Sequence, residues 1–221
     1  MCGRYVSRDQ AAIEREYDIR ITDPFEKIYN AAPTMKLPVI TATPAGWLCT
    51  QMRWGLIPAW WSKPEAPAST INARSEEAGN KPMWRQAVRH SRCLVPASGW
   101  YEWQKGSAGA AKQPFYIHPA DNSGVCFAGL WSTHSREGSE AQTFAILTRS
   151  ASEELATIHV RMPLVLPATA YAEWLDPGVS GSQALLDQFA ASSLSHFASY
   201  PVSTFVNGTR NQGERCIEPL G

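Results

Sequence analysis

Short apolar runs, one after another and cut apart by sixteen prolines, limit what this chain can fold into. LPVIT (37–41), WLCTQMRW (47–54), RCLVPASGW (92–100), VCFAGLWST (125–133), TFAILTRS (143–150), PLVLP (163–167) and ASYPVS (198–203) each read as a strand. They are rich in residues that suit a pleated surface, and too short for a packed helix. Helical patterns are brief: SRDQAAIEREY near the start, PMWRQAVRH (82–90), SEELATIH (152–159, Ser152 as N-cap), TAYAEWLD (169–176) and SQALLDQFA (182–190). Because strands follow strands without regular helical crossovers, the pattern predicts an α+β fold. The expected core is a curved, largely antiparallel, barrel-like β-sheet with short peripheral helices. The glycine-rich GSAGAA (106–111) lies between GWYEWQ and QPFYIHP and reads as a hairpin loop.

A chain of 221 residues can bury one good core, so a single domain over 1–221 is expected. Twenty basic residues balance twenty acidic ones, which excludes a nonspecific polycation but leaves room for a local basic groove. The nine tryptophans supply either core or a stacking surface for bases. There is no run of about 18 apolar residues. The polar start (SRDQ, EREYD) does not resemble a signal peptide, so a cytoplasmic protein without a membrane partner is expected. Five widely spaced cysteines without CxxC spacing suggest neither a disulfide framework nor a metal site. Cys49, Cys93 and Cys126 sit in strand-like runs as core thiols.

Cys2 differs from these by position, standing in MCGR behind one methionine. Trimming of Met1 would set an α-amine, of pKa about 7.7 to 8.0, beside a thiol of pKa about 8.5 that nearby cations or a base can activate. Such a terminus can attack an amide carbonyl through sulfur, with its own amine as base. Alternatively its amine condenses with an aldehyde and the thiol closes a five-membered thiazolidine. That closure is intramolecular, with an effective molarity of about 10⁵ M or more in well-oriented cases.

Other segments carry chemistry with a plainer alternative beside it. In TINARSEE (70–77), Asn72 and Arg74 share one face if extended and suit a phosphodiester; the alternative is an exposed edge with Arg74 paired to Glu76 or Glu77. In GWYEW (99–103), Glu102 lies among aromatics, where desolvation raises a carboxyl pKa and fits it for proton transfer; a solvent-facing glutamate is the alternative. His159, in TIHVRMP with Arg161, can shuttle protons near neutrality or simply complement a helix end. His90, His118, His134 and His196 show no ligand spacing. In WGLIPAWW (54–61), Trp54, Trp60 and Trp61 form a buried cluster or a wedge against nucleobases. With Arg4, Arg74 and Arg161 they outline a single-strand-binding groove.

The order of MCGR (1–4), YNAAP (29–33), WGLIPAWW, INARSE (71–76), RCLVPASGWYEW (92–103), IHVRMP (158–163), VSTFVN (202–207) and IEP (217–219) resembles the SRAP family, the SOS response-associated peptidases, over essentially the whole chain. The resemblance implies a single domain that binds single-stranded DNA and single-strand to double-strand junctions; a DNA-shielding domain of this size has no need to dimerise, and a monomer without cofactor or metal is expected. It also implies crosslinking to abasic sites, which shields the lesion. Cys2 then matches the crosslinking nucleophile, and Asn72, Glu102 and His159 the other active-site residues. Arg4, Arg74 and Arg161 match phosphate grips, Trp54, Trp60 and Trp61 the region against flanking bases, and Thr148 a position near DNA. Arg149 and Ser150 depart from the family pattern. The family name implies autoproteolytic exposure of the cysteine, yet only Met1 precedes it here.

Two other readings compete. MCG also opens N-terminal-cysteine glutamine amidotransferases, but their HTR-containing strand is missing, and Asn207-Gly208 lies near the C-terminus rather than in the required loop. The other is a noncatalytic DNA-binding module with an incidental cysteine.

Overall fold

The computed structural model describes residues 2–63, 65–106, 111–136 and 138–220. The fold is α+β. Its strands are β1 (Tyr5–Ser7), β2 (Lys36–Thr43), β3 (Gly46–Trp54), β4 (Asn72–Arg74), β5 (Arg92–Gln104), β6 (Gln113–His118), β7 (Val125–Arg136), β8 (Ser139–Ser150), β9 (Arg161–Pro163) and β10 (Ala198–Pro201). The helices are α1 (Gln10–Tyr17), α2 (Ser75–Ala78), α3 (Arg85–His90), α4 (Glu153–Ala156), α5 (Tyr171–Leu175) and α6 (Gln183–Ser192).

The pairings close on themselves. β5 pairs with β2, β2 with β3, β3 with β8, β8 with β7, and β7 with β5 again. All are antiparallel except β3 with β8. This five-strand ring leaves its members no open edge, and strand alternation splits the apolar residues into two layers. Phe144 and Ile146 point inward with Trp54, Cys93, Val95 and Phe127. Ala145 and Leu147 point outward, where Val88, Trp174 and Phe189 from α3, α5 and α6 cover them. Trp54 sits at the centre of the inner layer, edge-on to Tyr5 and stacked on Phe144.

Two strands of the ring, β5 and β8, run past it at one end and create the place for a site. β5 pairs with β7 only through Ala97. Its remainder, carrying Glu102, runs on to pair with β1 and β6. At the same end, the last residues of β8 hold β4 on one side and β9 on the other, with Asn72 opposite Ile146 and Arg161 opposite Ser150.

Several elements differ from expectation. RCLVPASGW and GWYEWQ, which share Gly99 and Trp100, form one continuous strand that runs through Pro96. The helix expected over 152–159 stops at Ala156; Ser152 occupies the N-cap position in extended conformation, without a side-chain cap bond. PLVLP contributes only its first residue to β9, with a single further bridge between Phe127 and Val165. In the GSAGAA loop, residues 107–110 lie outside the described residues, although Gln104 and Gln113 pair on either side of it. Among the described residues no helix is long and apolar enough to cross a membrane.

Candidate active site

Cys2 is carried into the fold by β1, and all of its side chain is buried. Tyr101 N–H donates to the Arg4 carbonyl at 3.0 Å, which fixes the start of β1 beside Glu102. The Cys2 thiol lies 3.8 Å from that same carbonyl, a long sulfur contact. Asn72 Nδ2 donates to the Cys2 carbonyl at 2.7 Å. Because a carbonyl only accepts, the amide nitrogen must face it, which leaves Asn72 Oδ1 buried and without a partner among the described residues. Burial, and next the charge of Glu102, push the Cys2 thiol well above its ordinary range. The thiol is therefore not preformed as a thiolate.

Glu102 is only 3 % exposed, and burial raises its carboxyl from an ordinary 4.5 to about 7. Trp100, two residues earlier, points into the inner layer on the same face, while Tyr101 and Trp103 pack on the other. His159 lies just past α4. Its Nδ1 accepts the Arg161 N–H at 3.0 Å, so the neutral ring carries its proton on Nε2. The same nitrogen lies 3.1 Å from the Arg161 carbonyl, which accepts from it once the ring is charged. Glu102 Oε2 is 3.8 Å from Nδ1, beyond hydrogen-bond length. Burial lowers the His159 pKa, and nearby lysines act in the same sense. The proximity of Glu102 does not reverse this, because at neutral pH that carboxyl is itself only part-ionised. At 3.8 Å, with burial disfavouring the charged form of each, the two groups are not held as a fixed ion pair.

The cations predicted from sequence lie around this centre in different states. Arg74 is exposed and makes no hydrogen bond or ion pair among the described residues. Arg161 pairs with Glu76 through both terminal nitrogens, at 2.6 and 2.9 Å, and Lys81 pairs with Glu77, so the alternative of Arg74 paired to Glu76 or Glu77 does not form. Arg4 donates to Asn30 Oδ1 at 2.8 Å and to the carbonyls of Val206 and Asn207 at 2.9 and 3.2 Å. Its guanidinium also lies 5.9 Å from the Trp103 ring centroid. Most of its donors are therefore engaged within the protein.

Two predicted DNA contacts are corrected by burial. Trp54 is 0 % exposed and spends its indole N–H on the Ile71 carbonyl at 2.8 Å, so it has no face for a base. Thr148 is fully buried and bonds the Ala73 carbonyl. Trp60 is 56 % exposed, tilted against half-buried Trp61 at 5.8 Å, and walls a cavity of about 300 Å³ with Leu56, Met83 and Trp131. Cys49, Cys93 and Cys126 are buried free thiols, as read, and Cys216 joins them. Among the described residues no cluster of three or more His, Cys, Asp or Glu is placed to hold a metal ion.

Sequence reasoning missed two residues. Asn30 is fully buried and its Nδ2 bonds the carbonyls of Val206, Gly208 and Asn211, clamping the C-terminal segment beneath Arg4. An asparagine between Tyr29 and the apolar Ala31-Ala32 was the available signal, since a polar side chain in such a run needs internal partners. Sequence offers Glu76 only as a near neighbour of Arg74; its partner comes from β9, 85 residues away in sequence.

Comparison with known proteins places this geometry in context. The family model for SOS response associated peptidase (SRAP) matches residues 1–209. The Abasic site processing protein YedK of Escherichia coli is 36 % identical over 231 residues, covering 100 % of both chains. The Abasic site processing protein YoaM of Bacillus subtilis is 30 % identical, covering 99 % of this chain and 98 % of its own. A crystal structure of a Bacteroides thetaiotaomicron protein superimposes with a TM-score of 0.83 at 24 % identity, covering 99 % of this chain and 100 % of that one, which supports the fold.

Proposed function

The chain belongs to the SOS response associated peptidase family, and from that premise we propose that it processes abasic sites in single-stranded DNA by crosslinking to them through Cys2. The observation that carries this is the convergence on Cys2 of residues from distant strands. Asn72 holds its carbonyl, Glu102 is near enough to raise its thiol, and His159 stands 3.8 Å from Glu102.

The chemistry follows from the order of proton affinities. Once Met1 is removed, the Cys2 amine is partly neutral near pH 7, whereas the buried thiol is not ionised. The amine therefore reacts first. An abasic sugar is mostly a closed ring, and His159 moves the proton needed to expose its aldehyde. The amine adds to the aldehyde carbon; Glu102, with its pKa near 7, gives a proton to the departing hydroxyl, and water leaves with formation of the imine. The Cys2 sulfur then adds to the imine carbon while its proton passes to nitrogen, closing the thiazolidine. The balance is one aldehyde plus one N-terminal cysteine to one thiazolidine plus one water. The unmet Asn72 Oδ1 is suited to accept an N–H from the Cys2 amine. Arg74 and Arg161 grip flanking phosphates, and Trp60 stacks on a base. If residues ahead of Cys2 are removed by the protein itself, the same thiol and Glu102 serve as nucleophile and proton carrier for that peptide bond.

Incubation with a uracil-containing oligonucleotide after uracil excision is expected to give a heat-stable adduct, seen by intact mass together with Met1 loss. Cys2→Ala is expected to bind without the adduct. The same stable adduct in Cys2→Ala would overturn the thiazolidine, and glutamine hydrolysis by the wild type would favour the amidotransferase reading instead.

A further inference from the structure

Arg161 already holds an anion. Its fork meets both carboxylate oxygens of Glu76, and Nη2 also donates to the Thr148 carbonyl at 2.7 Å. The two partners are unequally placed, with side-chain exposures of 14 % for Arg161 and 49 % for Glu76. The arginine is anchored from behind by β8, while the glutamate reaches it from the first turn of α2 with about half of its side chain facing water. Burial alone would raise the Glu76 carboxyl, but hydrogen bonds from Arg161 and from backbone N–H groups, its own and that of Ser150, hold it below its ordinary range. Beside this pair, Arg74 is exposed and makes no bond among the described residues, only two positions before Glu76. The Arg161 Nε–H is buried and likewise has no partner among the described residues.

We propose that Glu76 is a resident stand-in for phosphate, filling the Arg161 fork in the free protein and giving way to a backbone phosphate when a strand binds. A guanidinium fork fits carboxylate and phosphate in the same planar, two-bond manner, so one replaces the other without rebuilding the site. The exchange makes the site selective for polyanions. A tethered carboxylate competes at an effective concentration of millimolar order, so an isolated phosphate or organic acid only returns what it displaces. A DNA strand brings adjacent phosphates to Arg74 and releases condensed counterions, gains that a monovalent anion lacks. Glu76 is thus a specificity-determining residue for the DNA-binding reading on which this inference rests.

Glu76→Gln tests the idea, since glutamine keeps one acceptor for Arg161 but loses the charge. By fluorescence anisotropy with a labelled single strand, the variant is expected to bind about three- to fivefold tighter than wild type, the scale of a half-exposed ion pair. Inorganic phosphate at millimolar concentration is expected to compete in Glu76→Gln and to leave the wild type nearly unaffected. Added to Arg161→Ala, the Glu76 change is expected to bring no gain, with urea denaturation confirming that each variant folds. Equal or weaker strand binding by a folded Glu76→Gln overturns the inference while DNA binding stands. A wild type that does not bind the strand removes the DNA-binding reading, and this inference with it.

Discussion

Glu102→Gln tests the electrostatics of the site independently of any DNA. The Glu102 carboxyl rises from an ordinary 4.5 to about 7 because burial disfavours its charged form. Each tenfold change in proton affinity corresponds to about 1.4 kcal/mol, so ionised Glu102 costs the folded protein about 3 kcal/mol. The sign follows from linkage. Below pH 4.5 the group is protonated in both folded and unfolded chains and costs nothing. As pH rises toward 7 the unfolded chain ionises freely while the folded one resists, so stability falls, and above pH 7 the loss is complete. Glutamine mimics the neutral carboxyl in shape and cannot ionise. Glu102→Gln is therefore expected to be more stable than wild type by about 3 kcal/mol at pH 8, a rise of roughly 6–12 °C in Tm for a chain of this size. The difference should shrink to near zero by pH 4.5. His159 is present in both proteins, so its own titration cancels to first order. Urea titrations of both proteins from pH 4.5 to 9 measure the difference directly. A gap that does not change with pH, or a variant less stable at pH 8, would refute the assignment of Glu102 as a carboxyl strained by burial.

Two further contrasts separate architecture from function. Trp54→Ala is expected to cost about 3–5 kcal/mol by urea denaturation, as a large buried side chain is lost from the inner layer. Trp60→Ala should change stability by no more than about 0.5 kcal/mol yet weaken single-strand binding by about 1–3 kcal/mol in anisotropy titrations. Asn30→Ala leaves the Arg4 donor and three carbonyls without their side-chain partner. It is expected to cost about 3 kcal/mol, and limited proteolysis should then release the C-terminal segment first.

Much of this molecule was legible in the residues themselves. Short runs such as WLCTQMRW and TFAILTRS, rich in residues that suit a pleated surface, foretold strands, and the lack of crossover helices foretold a sheet that curves on itself rather than a doubly wound one. Glu102 was legible in part: an alternating strand places it with Trp100, but only the fold shows that this face is buried rather than open to solvent. Less legible was the length of β5, since RCLVPASGW and GWYEWQ read as two runs and join into one thirteen-residue strand. The α4 helix shortened for a tertiary reason: buried Ile158 and the turn to β9 override the helical pattern that runs to His159.

The short strands β1 and β4 were not read from the sequence, which by itself determined the long strands of the ring, the α+β class and the residue types available to a site. Those are local properties, set by backbone propensity and side-chain chemistry. Only the tertiary structure decided which tryptophan is core and which is exposed, which arginine is open, and which is already bound to Glu76. It also decided that the thiol of Cys2 is suppressed while the carboxyl of Glu102 is brought near neutrality. These are consequences of burial and of pairing between distant strands. Desolvation depends on the atoms that surround a group, and in this fold those atoms come from β1, β4, β5 and β9, which no local stretch of sequence contains.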